Sequence, residues 1–306
     1  MTNPRILPPA SPTRHSRPSL LILAVFLASL FPLQLALGAE RHDLHPGKQF
    51  SGKQGEVLWI EVPSGNPQAR VNGVLLQRKI PFFPLAEGKF AGIIGLDMQD
   101  PPGIQELHIT VESTDKTEHL TYSIEIMKET YSVQHLKLPK NKVDLDPETL
   151  KRVRLEQKEM ADAFHHIGTR PLWEGAFLEP TTGTVTGRFG SHRVINGQHK
   201  RPHSGEDIAA PQGTPVLAIN KGTVIATLDH FFSGKGVIID HGVGLFSMYF
   251  HLSEINVQPG QALTKGEAVG KVGATGRATG PHLHWGVRLN GARVNPYALT
   301  ALPLKH

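Results

Sequence analysis

The chain has 306 residues, a formal charge of +5, 31 glycines, 24 prolines and no cysteine. That length allows two domains, each with a core. The lack of cysteine excludes disulfides and thiolate metal sites, so any metal sits on His, Asp or Glu. Three positive charges, Arg5, Arg14 and Arg17, fall in residues 1–39, which hold no acid. The remaining +2 leaves no footprint for nucleic acid.

The N-terminus reads as a leader. "RHSRPS" is followed by the apolar run "LLILAVFLASLFPLQLALGA", residues 20–39, ending in the small residues Gly38 and Ala39. This fits a cleaved secretory signal peptide. The run is also long enough for a retained membrane anchor. Pro32 and the small residues favour cleavage near Glu40. Either way, the rest of the chain is expected outside the cytoplasm, periplasmic or extracellular.

Residues 40–130 alternate short apolar runs with turns: "EVLWIEVP", "FAGIIGLD", "LHITVES", "YSIEIM". They predict a small β-sandwich, read as a positioning or recognition module. Residues 131–170 form a linker. There Asp146 can cap a helix opened by Pro147, with Leu150, Val153, Met160 and Phe164 as an apolar stripe and Gly168 as its stop. His165 and His166 read as a polar helix end. Residues 171–306 return to β structure. "VIIDHGVGLFSMYF" predicts a hairpin turned at Gly242–Gly244.

The chemistry gathers in this last region. In "HLHWGVRL", Leu283, Trp285, Val287 and Leu289 face one way, and His282, His284, Gly286 and Arg288 the other. In "RPHSGEDIAAPQ", His203, Gly205 and Asp207 share a face if extended, and the glycine would leave room for something bound. In "SMYFHLSE", Tyr249 and His251 share a face. A catalytic zinc keeps three protein ligands and an open position. Three of His203, Asp207, His251, His282 and His284 could therefore bind metal while two move protons.

The stretches "HSGEDIAAPQGTPV", "MYFHLSE", "VQPGQALTKGEAVGKVGATGRATGPHLHWGV" and "VNPYAL" resemble the lysostaphin-type, LytM-like zinc metallopeptidases. The resemblance spans about residues 178–298, and "FGSHR" fits it too. It implies an antiparallel β-sheet metallopeptidase domain. It implies Zn2+ held by His203, Asp207 and His284, with His251 and His282 as catalytic histidines that are not ligands. The expected activity is cleavage of peptide cross-links in bacterial peptidoglycan, whose peptide stems would be the partner. Zinc would activate water and polarise the scissile carbonyl. Either His251 or His282 would act as base. Tyr249 reads as a packed residue or an oxyanion donor, and Arg193 as a substrate contact or a structural residue. His241 reads as a hairpin-end residue, and His192, His199 and His230 as loop residues.

Two rival readings remain. One is a non-enzymatic wall-binding or hydrolase-activating module on the same fold, which would not require an intact set of ligands and bases. The other is a biotinyl or lipoyl-type carrier, suggested by "VQPGQALTKGEAVGKVG". No lysine flanked by methionines is present to carry the group.

Overall fold

The computed structural model describes residues 48–165, 167–302 and 304. Residues 1–39, read above as a leader, and His166 lie outside the described residues. Among those described, no helix is long and apolar enough to cross a membrane.

The first β region forms two sheets. One has five strands, in the order Gln49–Lys53, Thr117–Met127, Gly103–Glu112, Arg70–Leu75, Arg78–Pro81. The other has three: Val57–Pro63, Lys89–Gly95 and Phe83–Pro84. The expected alternation holds in the long strands. Leu107, Ile109 and Val111 are buried while His108 is exposed, and Tyr122, Ile124 and Ile126 are buried while Glu125 is exposed. These side chains meet Ile60, Val62 and Ile94 in one core.

The strand Lys89–Gly95 does not alternate, because both its faces are covered. Phe90 and Ile94 enter the core between the two small sheets. Ala91 and Ile93 enter a second core with Trp285, Val287 and Leu289 from near the C-terminus. The charged pair Asp97–Arg293 ties the same two regions together. Arg293 donates to the Asp97 carboxylate from its backbone N–H at 2.7 Å, Nε at 2.9 Å and a terminal nitrogen at 2.6 Å.

The C-terminal sheet has ten strands. Its main path runs Thr184–Gly187, Gly205–Ala209, His282–Leu289, Leu245–Ile255, Gly234–Asp240, Gly222–His230, Ala262–Leu263. The predicted hairpin joins Gly234–Asp240 to Leu245–Ile255, and Gly242 and Gly244 both take positive φ (84° and 76°) at its turn. One face of this sheet buries Leu283, Trp285, Val287 and Leu289 as expected.

Met160 and Phe164 pack on the opposite face against Phe246, Met248 and Phe250. Met160 belongs to the helix Pro147–Asp162, and Phe164 lies just past its end. Asp146 caps that helix by accepting from the Thr149 backbone N–H at 2.9 Å, and Pro147 opens it. It ends at Asp162, short of Gly168; the next backbone N–H groups reach back in tighter turns. Val133–Leu136 runs parallel to His192–Ile195, which brings the linker alongside the same face.

Candidate metal centre and active site

Asp207 and His284 are direct neighbours across the strand pair Gly205–Ala209 and His282–Leu289. His203 lies just before the first strand. Its backbone N–H donates to Ser191 O at 3.0 Å, and its carbonyl accepts from Gly190 N–H at 2.8 Å. The result is a triangle of donor atoms. His203 Nε2 is 2.9 Å from His284 Nδ1 and 2.9 Å from Asp207 Oδ1, and His284 Nδ1 is 2.8 Å from the same oxygen. Arg193 donates to the other oxygen, Oδ2, leaving Oδ1 to face the imidazoles. Among the described residues this is the group of three or more His, Asp or Glu arranged to hold a metal ion.

The protons show why a cation fits there. His203 Nδ1 faces the Arg188 carbonyl at 3.1 Å. A carbonyl only accepts, so Nδ1 carries the hydrogen of the neutral ring and Nε2 presents a lone pair. Burial lowers the His203 pKa to about 4, so the ring is neutral at pH 7. Burial alone would raise Asp207, but the contacts from His203 and His284 outweigh it and keep the carboxylate ionised. One proton on His284 Nδ1 then serves at most part of a triangle of acceptors. A cation bound to all three satisfies every contact. Two imidazole nitrogens and one carboxylate oxygen are the donor set of a three-ligand Zn2+ site.

His251 and His282 stand beside the triangle. Their ring centroids are 4.7 Å apart, and His251 is 6.1 Å from His284. Each Nδ1 donates to a carbonyl: His251 to Thr275 at 2.9 Å, His282 to Gly280 at 2.8 Å. With the ring hydrogen on Nδ1, each ring in its neutral form holds its lone pair on Nε2. His282 Nε2 is 3.9 Å from Asp207 Oδ1. Burial, followed by the neighbouring His282 and His284, lowers His251 to about 3.

Strand alternation misplaces His251. Tyr249 and His251 do not share surroundings. Tyr249 is fully buried in the core behind the sheet, where its hydroxyl accepts from Ile219 N–H at 3.1 Å and from Ser247 Oγ at 2.9 Å. It is a packed residue. The register shifts near His251, which takes φ 65°. That left-handed backbone, uncommon for a non-glycine residue, brings the imidazole to the site. The preceding Phe250 stacks on His284, with centroids 5.6 Å apart and planes 5° from parallel.

Gly205 also has a different reason from the one expected. A Cβ there would lie 2.4 Å from the Trp285 carbonyl and 2.8 Å from His284 Nε2. The room is taken by the neighbouring strand and its imidazole. Arg193 is structural in part, holding Asp207 and reaching Gln134 of the linker through Nε at 3.2 Å. His241 is fully buried, linking the Lys221 carbonyl to Ser247. His230 is buried at a strand end against Glu159. His192 and His199 lie on short strands. The sequence reading singled out neither Phe250 nor Arg277, which lines the cleft described below. Arg277 lies inside the quoted "ATGRATGPHLHWG", but its place in the cleft depends on tertiary contacts.

Fold and site together define a metallopeptidase-type β-sheet with a His–Asp–His cluster. The sequence profile of peptidase family M23 matches residues 201–296. The crystal structure of a protein assigned as peptidase M23 from Pseudomonas aeruginosa aligns with TM-score 0.64 and 32% identity, over 81% of this chain and 94% of that one. The chain belongs to peptidase family M23. The peptidoglycan DD-endopeptidase ShyA of Vibrio cholerae is 45% identical over 94 residues, 31% of this chain and 22% of its own length. The DD-carboxypeptidase/endopeptidase Mpg of Neisseria meningitidis is 46% identical over 134 residues, 42% of this chain and 30% of its own length. The chain thus matches less than a third of the length of these two relatives.

Proposed function

We propose that this chain is an exported zinc-dependent endopeptidase that cuts peptide cross-links of bacterial peptidoglycan. One observation carries the reading: the acceptor triangle of His203, Asp207 and His284 has two further Nε2 lone pairs beside it. When bound, zinc would supply Lewis acidity, polarising the scissile carbonyl and acidifying a water. The chain's own residues do the rest. Arg193 fixes the orientation of Asp207. The carbonyls of Thr275 and Gly280 fix the tautomers of His251 and His282, so both present Nε2 to accept a proton and return it to the leaving amine. Burial keeps His251 neutral at pH 7, which leaves its Nε2 lone pair available. The relatives' names, DD-endopeptidase and DD-carboxypeptidase/endopeptidase, support DD-type peptidoglycan bonds as the bonds cut. The leader supports action in the cell envelope.

The test is mass analysis of muropeptides after incubating the purified chain with peptidoglycan, with and without a zinc chelator. Chelator-sensitive loss of cross-linked dimers is expected. Zinc-loaded protein that binds the wall and leaves every dimer intact would favour the non-enzymatic module. N-terminal sequencing of protein from its host is expected to begin near Glu40; an intact leader would favour the anchor.

A further inference from the structure

Arg277 lies in the loop between the strands Ala268–Val272 and His282–Leu289. Its backbone N–H donates to Phe232 O at 2.9 Å, and the adjacent Ser233 carbonyl accepts the His251 N–H at 2.9 Å. Thr275, two residues before Arg277, holds His251 Nδ1. One short segment therefore positions both side chains. The Arg277 guanidinium lies over the Phe232 ring, 4.1 Å from its centroid.

Two cavities meet at the site. The larger, about 610 Å³, reaches His203 and His284; the smaller, about 120 Å³, reaches Asp207 and His282. Among the described residues, only Arg193, Ile195, His251 and Arg277 line both. A chain lying through the cleft passes these four residues where its reacting bond meets His251. Arg193 is committed to Asp207 and Gln134. Among the described residues, the Arg277 guanidinium has no hydrogen-bond partner and no carboxylate in ion-pair range. Burial, followed by the charge of Arg193, disfavours its protonated form. A half-buried cation on an apolar ring gains most from an incoming anion.

We propose that Arg277 binds a carboxylate of the substrate that flanks the scissile amide, making it a specificity-determining residue. The preferred substrates then carry a free carboxylate on the residue next to the cut, rather than neutral bridges. The planar guanidinium suits a carboxylate through two parallel N–H···O bonds. An α-carboxylate on the leaving-amine residue sits on the carbon next to the scissile nitrogen, within reach of a group that lines the cleft with His251. This inference rests on the endopeptidase reading.

The test uses zinc-loaded full chain and muropeptide dimers cross-linked through D-alanine, in native form and with their carboxylates converted to carboxamides. The wild type is expected to favour the acid form in kcat/KM by about 10–100-fold, the range of a charged hydrogen bond. Arg277→Gln should bring that ratio close to one, mainly by slowing the acid form, and Arg277→Lys should restore part of it. Calorimetric binding of both dimers to the slow variant His282→Ala should show the same preference, lost in His282→Ala/Arg277→Gln. Equal wild-type rates on both forms, or equal slowing of both by Arg277→Gln, would overturn the inference and leave the endopeptidase reading intact. No cleavage of either dimer or of whole peptidoglycan would remove that reading, and the inference with it. Zinc content measured on each variant separates a folding defect from lost recognition, and the lysine variant keeps the test decisive if glutamine disturbs the loop.

Discussion

Asp97→Ala removes the acceptor of three Arg293 N–H bonds. The Asp97 side chain is 10% exposed and that of Arg293 24%. Breaking a buried ion pair by removing one partner costs about 3–5 kcal/mol, because a charge is left desolvated. Arg293 is partly solvated and keeps a 2.8 Å bond to Gln99 Oε1, so the cost falls to about 2–3 kcal/mol. For a chain this size that lowers Tm by about 4–12 °C. Asp97→Asn keeps the shape without the charge and gives a pH readout. Burial would raise the Asp97 pKa, but the hydrogen bonds from Arg293 and Gln99 prevail and hold it below 3.8. The folded state therefore binds the proton less readily than the unfolded chain. The stabilisation is fully present above the unfolded pKa and lost as pH falls through the folded value. Scanning calorimetry should find a constant Tm gap between wild type and Asp97→Asn from pH 7 to about pH 5, shrinking below about pH 4. A gap that widens in acid, or an Asp97→Ala variant within about 1 °C of wild type, would refute the ion-pair reasoning.

His203→Ala, Asp207→Ala and His284→Ala should each lose most bound zinc by elemental analysis; a full equivalent retained by any of them would remove it from the ligand set. His251→Ala and His282→Ala should keep about one zinc per chain and lose cleavage by about 10²–10⁴-fold, measured on muropeptide dimers. Zinc loss in His282→Ala comparable to that in His284→Ala would make His282 a ligand. Gly205→Ala should force apart the strands that carry Asp207 and His284. The expected cost is about 1–3 kcal/mol of stability together with weakened zinc retention on dialysis, and unchanged retention would show that the strands yield without disturbing the site.

Much of the site was legible because strand alternation is a strong local rule. "HLHWGVRL" placed both imidazoles on one face and Trp285 in the core, as found. The helix start at Asp146–Pro147 was equally local. What escaped depended on departures from local rules or on contacts far apart in sequence. The positive φ at His251 breaks the alternation that was used to pair it with Tyr249. The pairing of Arg193 with Asp207 depends on a turn that folds residue 193 back over residue 207. "FAGIIGLD" lacks alternation because two cores claim it, and nothing in the segment names the second partner. His230 looked like a loop residue, and nothing marked the hairpin-end His241 as a buried link, because their partners, Glu159 for the first and Ser247 with Lys221 for the second, come from separate elements.

The strand Lys89–Gly95 also limits how freely the peptidase sheet can be exchanged between proteins. Ala91 and Ile93 are lining for Trp285, Val287 and Leu289, so the catalytic sheet leaves part of its wall to a segment almost two hundred residues away in the chain. Cutting the chain after the helix and grafting residues 171–306 onto another carrier would bare that wall to water. Exposed apolar patches of this kind favour self-association. A graft that stays soluble needs a replacement for Val57, Phe83, Ala91 and Ile93, or polar substitutions on the surface they leave uncovered.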